Sequence, residues 1–393
     1  MKAKYLTLSR MFHQNESDGK ELYQKRLKDD NTCLLRLDPD AEPFFVCINN
    51  EISCLVEKIW KVNSRLQKLT GRIPARSILL QSALYLEIVL SNEIEGIHSS
   101  RKMLKEAAQK SSGRFYGQIS QYGKILQDTT PEFPRTIAEI REYYDELLYE
   151  EIQMDNPADL PDGKMFRKDP VFISDGINNR HTGVTPEDKI ESMLQSSLDW
   201  MHDHTVPDLV AIAVFHYIFG FIHPFYDGNG RLNRFLTTVF LANDLGPSAS
   251  LLLSTALRRH RSDYYKAFEV CEDPLNHNEL TYFVLFFLNC LSEAVEDEFQ
   301  ILHDKWDEFM KFSESLKKMD LKSRDSQILQ LLGESELFGE DGLTKEQLAE
   351  KLGCSVYTVR NLVKEHKSRI FTAKEGRYNL YRLDRRFLKE MTE

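Results

Sequence analysis

Apolar residues recur at helical spacing through most of the chain. Ile52, Val56, Ile59, Val62, Leu66 and Leu69 return every three to four positions and stop before Gly71 and Pro74, which predicts a helix over residues 52–69. A second helical pattern runs from Ser77 to Gly96, where glycine suits a left-handed cap. Residues 209–222 are apolar nearly all round and predict a helix buried in a core. Leu232, Phe235, Leu236 and Val239 then predict another helix that starts near Asn229 or Gly230. An amphipathic helix with an acidic first turn is expected over residues 186–201, and a long one over 279–309.

Between these, the periodicity changes. Residues 164–186 hold short β-like pieces, 171–173 and 181–184, separated by the turn signals Asp175-Gly176 and Asn178-Asn179, which predict a hairpin. Residues 1–50 have no sustained period, so irregular structure with short strands is expected there. Charge density rises over 311–324 and predicts a linker. Beyond it, Thr344 and Ser355 are placed to cap two short helices, and residues 370–383 read as a hairpin.

Composition narrows the class of protein. With 393 residues the chain is long enough for about two or three domains. A net charge of −10 argues against a role that is mainly the coating of nucleic acid. The six cysteines show no short metal spacing and read as reduced thiols. The N-terminus has no apolar targeting segment, and the apolar run at 209–222 is too short to span a bilayer. The expectation is a cytoplasmic protein without membrane contact.

Chemistry concentrates between the two core helices, from His223 to Arg234. Helix-start amides have no intrahelical acceptor, and Gly228 and Gly230 let an anion approach them without interference from a Cβ. The run therefore predicts a phosphate site. Arg231 and Arg234 project from the first turns and suit phosphate oxygens. A carboxylate, Asp227, is out of place among them unless it holds a hard cation such as Mg²⁺. His223 is the one group in the run able to take a proton near neutral pH. A nucleotide phosphate site with a general base follows from the residues alone.

This run resembles the motif of the Fic family, His-Pro-Phe-x-Asp/Glu-Gly-Asn-Gly-Arg-x-x-Arg, and matches it at every fixed position. The resemblance implies transfer of AMP from ATP to a hydroxyl of a target protein and of the protein itself. By position it implies that His223 is the base and Asp227 the Mg²⁺ ligand. It places Asn229 at the α-phosphate, the Gly228 and Gly230 amides in the anion hole, Arg231 at the β-phosphate and Arg234 at the γ-phosphate. Ser91, Glu95 and Gly96 resemble the family's inhibitory motif, which implies that Glu95 pairs with Arg234 and occupies the γ-phosphate volume. The pair Tyr264-Tyr265 resembles a later Fic helix whose tyrosines lie near the nucleotide, so Tyr265 is expected to bind it.

The expected fold is mainly α: a Fic helical core with a small β-hairpin flap, plus a C-terminal winged helix-turn-helix. The expected domains are an N-terminal helical region over 1–110, a catalytic core over 111–310 and a winged helix over 324–393. Arg360, Lys364, Lys367, Arg369, Lys374 and Arg377 give that last region a basic face suited to DNA or to a protein partner; a homodimer is compatible with the reading. Two other functions stay open on the sequence: an ATP-sensing DNA-binding regulator, and a Fic enzyme that uses another nucleotide or removes AMP.

Overall fold

The buried helix predicted over 209–222 is present as Asp208–Ile222, and twelve of its residues are buried. The computed structural model describes residues 5–127, 131–174, 179–339, 342–375 and 378–393. The turn signals Asp175, Gly176 and Asn178, and Gly376 and Arg377 of the second predicted hairpin, lie outside them. Among the described residues the chain is mainly α, with three two-stranded antiparallel sheets. It divides into two units, residues 1–63 with 84–296 and residues 64–83 with 297–393.

In the first unit the chain opens with α1 (Leu8–Gln14) and α2 (Glu16–Leu27), where only irregular structure and short strands were expected. Both helices are capped by side chains, Thr7 onto Arg10 N and Asn15 onto Ser17 N. A tertiary anchor that periodicity cannot show holds them down. Arg26 and Tyr5 meet the buried carboxylate of Glu279 at 2.7 and 2.5 Å. The expected short strands follow as β1 (Thr32–Leu35) and β2 (Phe44–Cys47), paired antiparallel.

After α3 (Asn50–Thr70) comes α4 (Arg76–Ile94), then α5 (Arg101–Lys110) and α6 (Tyr116–Ile125). Next, α7 (Ile137–Tyr144) runs through a single π-helical stretch, Asp145–Tyr149, into α8 (Glu150–Asp155). Strands β3 (Phe172–Ser174) and β4 (Asn179–Thr182) form the predicted hairpin, with a register irregularity after Ile173. The centre of the unit is α9 (Glu187–His202), α10 (Asp208–Ile222) and α11 (Asn229–Leu245). It is completed by α12 (Pro247–Ser250), α13 (Leu253–Arg259), α14 (Arg261–Glu272) and the start of α15 (Thr281–Lys318). The charged stretch from Lys311 is helical through Lys318, because Phe312 and Leu316 keep a buried stripe among the charges.

In the second unit, α16 (Ser323–Phe338) precedes α17 (Lys345–Lys351) and α18 (Val356–Glu365), which Thr344 and Ser355 cap as expected. Strands β5 (Ile370–Glu375) and β6 (Tyr378–Leu383) pair over six residues, and α19 (Arg385–Thr392) ends the chain. Leu343 bridges to Tyr381, while the buried Glu336 carboxylate takes Arg382 at 3.0 Å and Arg385 at 2.7 Å. Among the described residues no helix is long and apolar enough to cross a membrane.

Candidate active site

Helix α10 cannot continue past His223, because Pro224 follows and lacks the N–H that the next turn needs. His223 instead closes the helix in the left-handed region, at φ 53° and ψ 62°, with its N–H on Phe219 O at 3.0 Å. Phe225 then turns inward and is fully buried. It stacks on Tyr144 at 3.8 Å between centroids and meets Phe166 edge-on at 5.4 Å. Removing that ring leaves a hole beneath the loop. Phe225→Ala is expected to lower stability by about 3–5 kcal/mol, read from the urea midpoint.

Above this plug the loop is closed by its own side chains. Asn229 Oδ1 accepts from Phe225 N at 2.9 Å and Asn229 Nδ2 donates to Phe225 O at 2.7 Å. Both polar atoms of Asn229 are thus engaged in shaping the loop, and the second hydrogen of Nδ2 remains available to an oxygen in the cavity. Gly228 turns at φ 84° with Leu148 packed against it, which leaves no room for a side chain. At Gly230 a Cβ would collide with the Glu95 carboxylate. That acid therefore lies against the start of α11, where the free amides are.

Glu95 reaches this point from the end of α4. Ile97 N–H returns to Asn92 O at 2.9 Å and Gly96 N–H to Glu93 O at 3.0 Å, with Gly96 at φ 76°. This Schellman cap fixes the direction in which Glu95 leaves the helix. Its carboxylate accepts from Arg234 Nη2 at 2.7 Å. Arg234, 1 % exposed, also donates through Nε to Ser91 Oγ at 2.9 Å and through Nη2 to Ser91 O at 2.9 Å. Burial works against the charge on Arg234, and the Glu95 carboxylate more than offsets it, so its pKa lies above the ordinary value. One turn back from Ser91, the fully buried Glu87 accepts from Ser254 N at 2.8 Å and Ser254 Oγ at 2.6 Å. Burial raises its pKa to about 7. Glu87 and Ser91 lie one turn apart on one face of α4, and Glu95 follows at the same spacing just past its end.

His223, Gly230, Arg234, Glu95 and Tyr265 line a single cavity of about 600 Å³. Tyr265 is half-exposed on its wall and donates to Ile94 O at 3.3 Å. Asp227, Gly228 and Arg231 lie outside that wall. There Arg231 bridges Glu151 at 2.8 Å and Asp227 at 3.0 Å, and Asp227 also accepts from Gly228 N at 2.6 Å.

The His223 ring is held in one tautomer. Its Nδ1 faces Gly220 O at 3.3 Å. A carbonyl only accepts, so Nδ1 carries the hydrogen and Nε2 the lone pair. Burial pushes the ring's pKa down to about 4, against the opposing pull of that bond, so it is neutral at pH 7. The peptide that carries it is clamped by Arg167, a fully buried guanidinium that donates to His223 O at 2.9 Å and Val184 O at 2.7 Å.

Deeper in the core, His216 is a packed residue. Thr237 Oγ donates to Asn233 O at 2.7 Å, so its oxygen accepts from His216 Nδ1 at 2.7 Å, and His216 Nε2 accepts from Tyr264 OH at 2.8 Å. All donors run in one direction, and burial holds the ring neutral with a pKa of about 3. Tyr264 thereby ties α14 to α10 and leaves its neighbour Tyr265 to face the cavity. Sequence reasoning missed Arg167, Glu151 and Glu87 as parts of the site. Glu151 stands beside Glu150 in an acidic run, and only the return of its helix onto α11 separates it from surface acids.

Comparison with known proteins agrees with this geometry. Residues 118–241 match the Fic/DOC family model, a span that contains the whole loop from His223 to Arg234. The "Protein adenylyltransferase Fic" of Nematostella vectensis is 24 % identical over 251 residues, 61 % of this chain and 55 % of the relative. The "Protein adenylyltransferase fic-1" of Caenorhabditis elegans is 30 % identical over 116 residues, 29 % of this chain and 21 % of the relative. The chain thus spans about half the length of the first of these relatives and a fifth of the second. A crystal structure of a Fic family protein from Desulfovibrio desulfuricans G20 has the same fold, with a TM-score of 0.54 at 21 % identity, over 86 % of this chain and 97 % of that one. The sequence thus carries a match to the Fic/DOC family over residues 118–241, around the loop, and the solved Fic family protein shares its fold over most of the chain.

Proposed function

We propose that the protein is a nucleotidyltransferase that moves AMP from ATP to a Ser, Thr or Tyr hydroxyl of a target protein and of itself, and that Glu95 holds it in check. The observation that carries this reading is the cavity in which a neutral imidazole, a helix start bearing glycine and a buried arginine converge. His223 Nε2 takes the proton of the incoming hydroxyl while its oxygen bonds to the α-phosphorus. The bond from that phosphorus to the α–β bridging oxygen breaks, and pyrophosphate leaves. The Gly230 amide and Arg234 at the cavity, and the Gly228 amide and Arg231 once Asp227 releases them, offset the phosphate charge.

Asp227 is half-exposed, and among the described residues no group of three or more His, Cys, Asp or Glu could hold a metal alone. This donor set fits Mg²⁺ with phosphate oxygens and water as the other ligands, as Mg²⁺ commonly takes them. Bound there, the cation would neutralise phosphate charge.

Incubation with ATP labelled at the α-position and with ATP labelled at the γ-position tests the reaction. Label retained on protein from the α-position alone supports AMP transfer. Label from the γ-position, or none even from Glu95→Gly, overturns it. Tyr265 lines the cavity and is read as stacking on the nucleobase, so Tyr265→Ala is expected to raise the KM for ATP about two- to tenfold at similar kcat.

A second reading concerns the C-terminal region. Helices α17 and α18 with the β5–β6 hairpin follow the order of a winged helix, and α18 bears an exposed Tyr357 and Arg360 suited to DNA or a protein partner. Duplex affinity that falls on charge reversal at Arg360 and Lys364, with no AMP transfer, would favour the ATP-sensing regulator.

A further inference from the structure

Arg231 sits between two carboxylates of different standing. Its Nη1 donates to Glu151 at 2.8 Å and its Nη2 to Asp227 at 3.0 Å. The Glu151 side chain is 3 % exposed and that of Asp227 50 %. Glu151 is itself held: Oε2 accepts from Gln118, also buried, at 2.8 Å, and Arg114 lies 3.8 Å from Oε1. The Nε of Arg231 is buried with no acceptor among the described residues.

An ion pair with a half-exposed partner is weak and exchangeable, whereas a pair sealed from water breaks only at the cost of an uncompensated buried charge. When a phosphate or a cation competes at this corner, the Asp227 contact yields and the Glu151 contact stays. Glu151 is too deep to serve the ligand itself, and its negative charge would repel phosphate if Arg231 did not stand between them. Its chemistry suits holding the guanidinium in one orientation.

We propose that Glu151 is a positioning residue for the phosphate site: from the far side it fixes Arg231, so that the N–H group freed by Asp227 meets the β-phosphate of a nucleoside di- or triphosphate. This rests on reading the site as one for nucleoside phosphates. The π-helical stretch just before α8 sets the phase at which Glu151 emerges, and such local widening of a helix recurs at functional sites.

The test is ADP and AMP binding by titration calorimetry with Mg²⁺ present, in the Glu95→Gly background, alongside kcat and KM for ATP. Glu151→Gln is expected to weaken ADP binding about tenfold while AMP binding stays within about twofold, and to lower kcat about ten- to a hundredfold. In an Arg231→Ala background the same change is expected to cause no further loss of ADP binding. Equal losses for ADP and AMP, a loss that persists without Arg231, or no loss in a folded variant would each overturn the proposal. If Glu151→Gln does not fold, Glu151→Asp keeps the charge, withdraws it by one methylene and is read by the same selective loss of ADP. ADP binding without AMP transfer in Glu95→Gly sinks the transfer reaction and leaves this proposal standing. No ADP binding to Glu95→Gly removes both.

Discussion

His223→Ala is expected to abolish AMP transfer, by about 10²–10⁴ in kcat, and to leave ATP binding nearly unchanged. The ring is a proton acceptor in this reading, not a phosphate ligand, so its loss falls on turnover. Single-turnover transfer and equilibrium binding of ATP separate the two effects. The pH profile adds a sign. His223 has a folded pKa of about 4, below its ordinary value because of burial, and acts as a base only when neutral. The rate should therefore stay level through neutral pH and fall only on acidification toward that value. Bound phosphate charge favours the imidazolium and moves the fall in kcat to higher pH than the fall in kcat/KM at low ATP. A rate that rises on acidification would point to a general acid and overturn the assignment. Loss of ATP binding in step with transfer would do the same.

Glu95→Gly is expected to raise transfer and ATP affinity about ten- to a hundredfold. The estimate follows from one hydrogen bond between charged groups, of about 1.5–3 kcal/mol, which ATP must displace to reach Arg234. Partial exposure of Glu95 places the effect in the lower part of that range. The substitution is structurally mild, because Glu95 follows the last residue of α4, where glycine disturbs little helix. Ser91 keeps its two bonds to Arg234, so the guanidinium stays in place and becomes available. Self-labelling from α-labelled ATP, measured for both proteins at one concentration, checks this. Equal labelling would remove Glu95 as a restraint.

Both predictions start from stretches that a reader of the sequence finds unaided. The apolar run of α10, the periodic start of α11 and the glycines between them are local signals, and local signals are what spacing carries. The same holds for Thr344 and Ser355, whose capping bonds lie within three residues. What stayed hidden depends on distant parts of the chain. Arg167 reaches His223 across 56 positions and Glu151 reaches Arg231 across 80. Neither differs in composition from a surface charge until the fold returns its helix or loop to the site. Helices α1 and α2 were missed for a related reason, since Glu279 anchors them from more than 250 positions away. Asn229 shows the opposite limit: the motif marks the residue, while the two bonds that engage its amide come from backbone atoms without a sequence signature.

The left-handed backbone at His223 has a consequence for how this protein can change over time. A residue with a Cβ held at φ 53° carries strain of about 1–2 kcal/mol, which glycine would relieve. The burial of the imidazole repays part of that strain, but one side of the ring borders an open cavity. Durability and turnover therefore pull in opposite directions at this one position. A descendant that no longer needed the reaction would gain robustness by letting the histidine go.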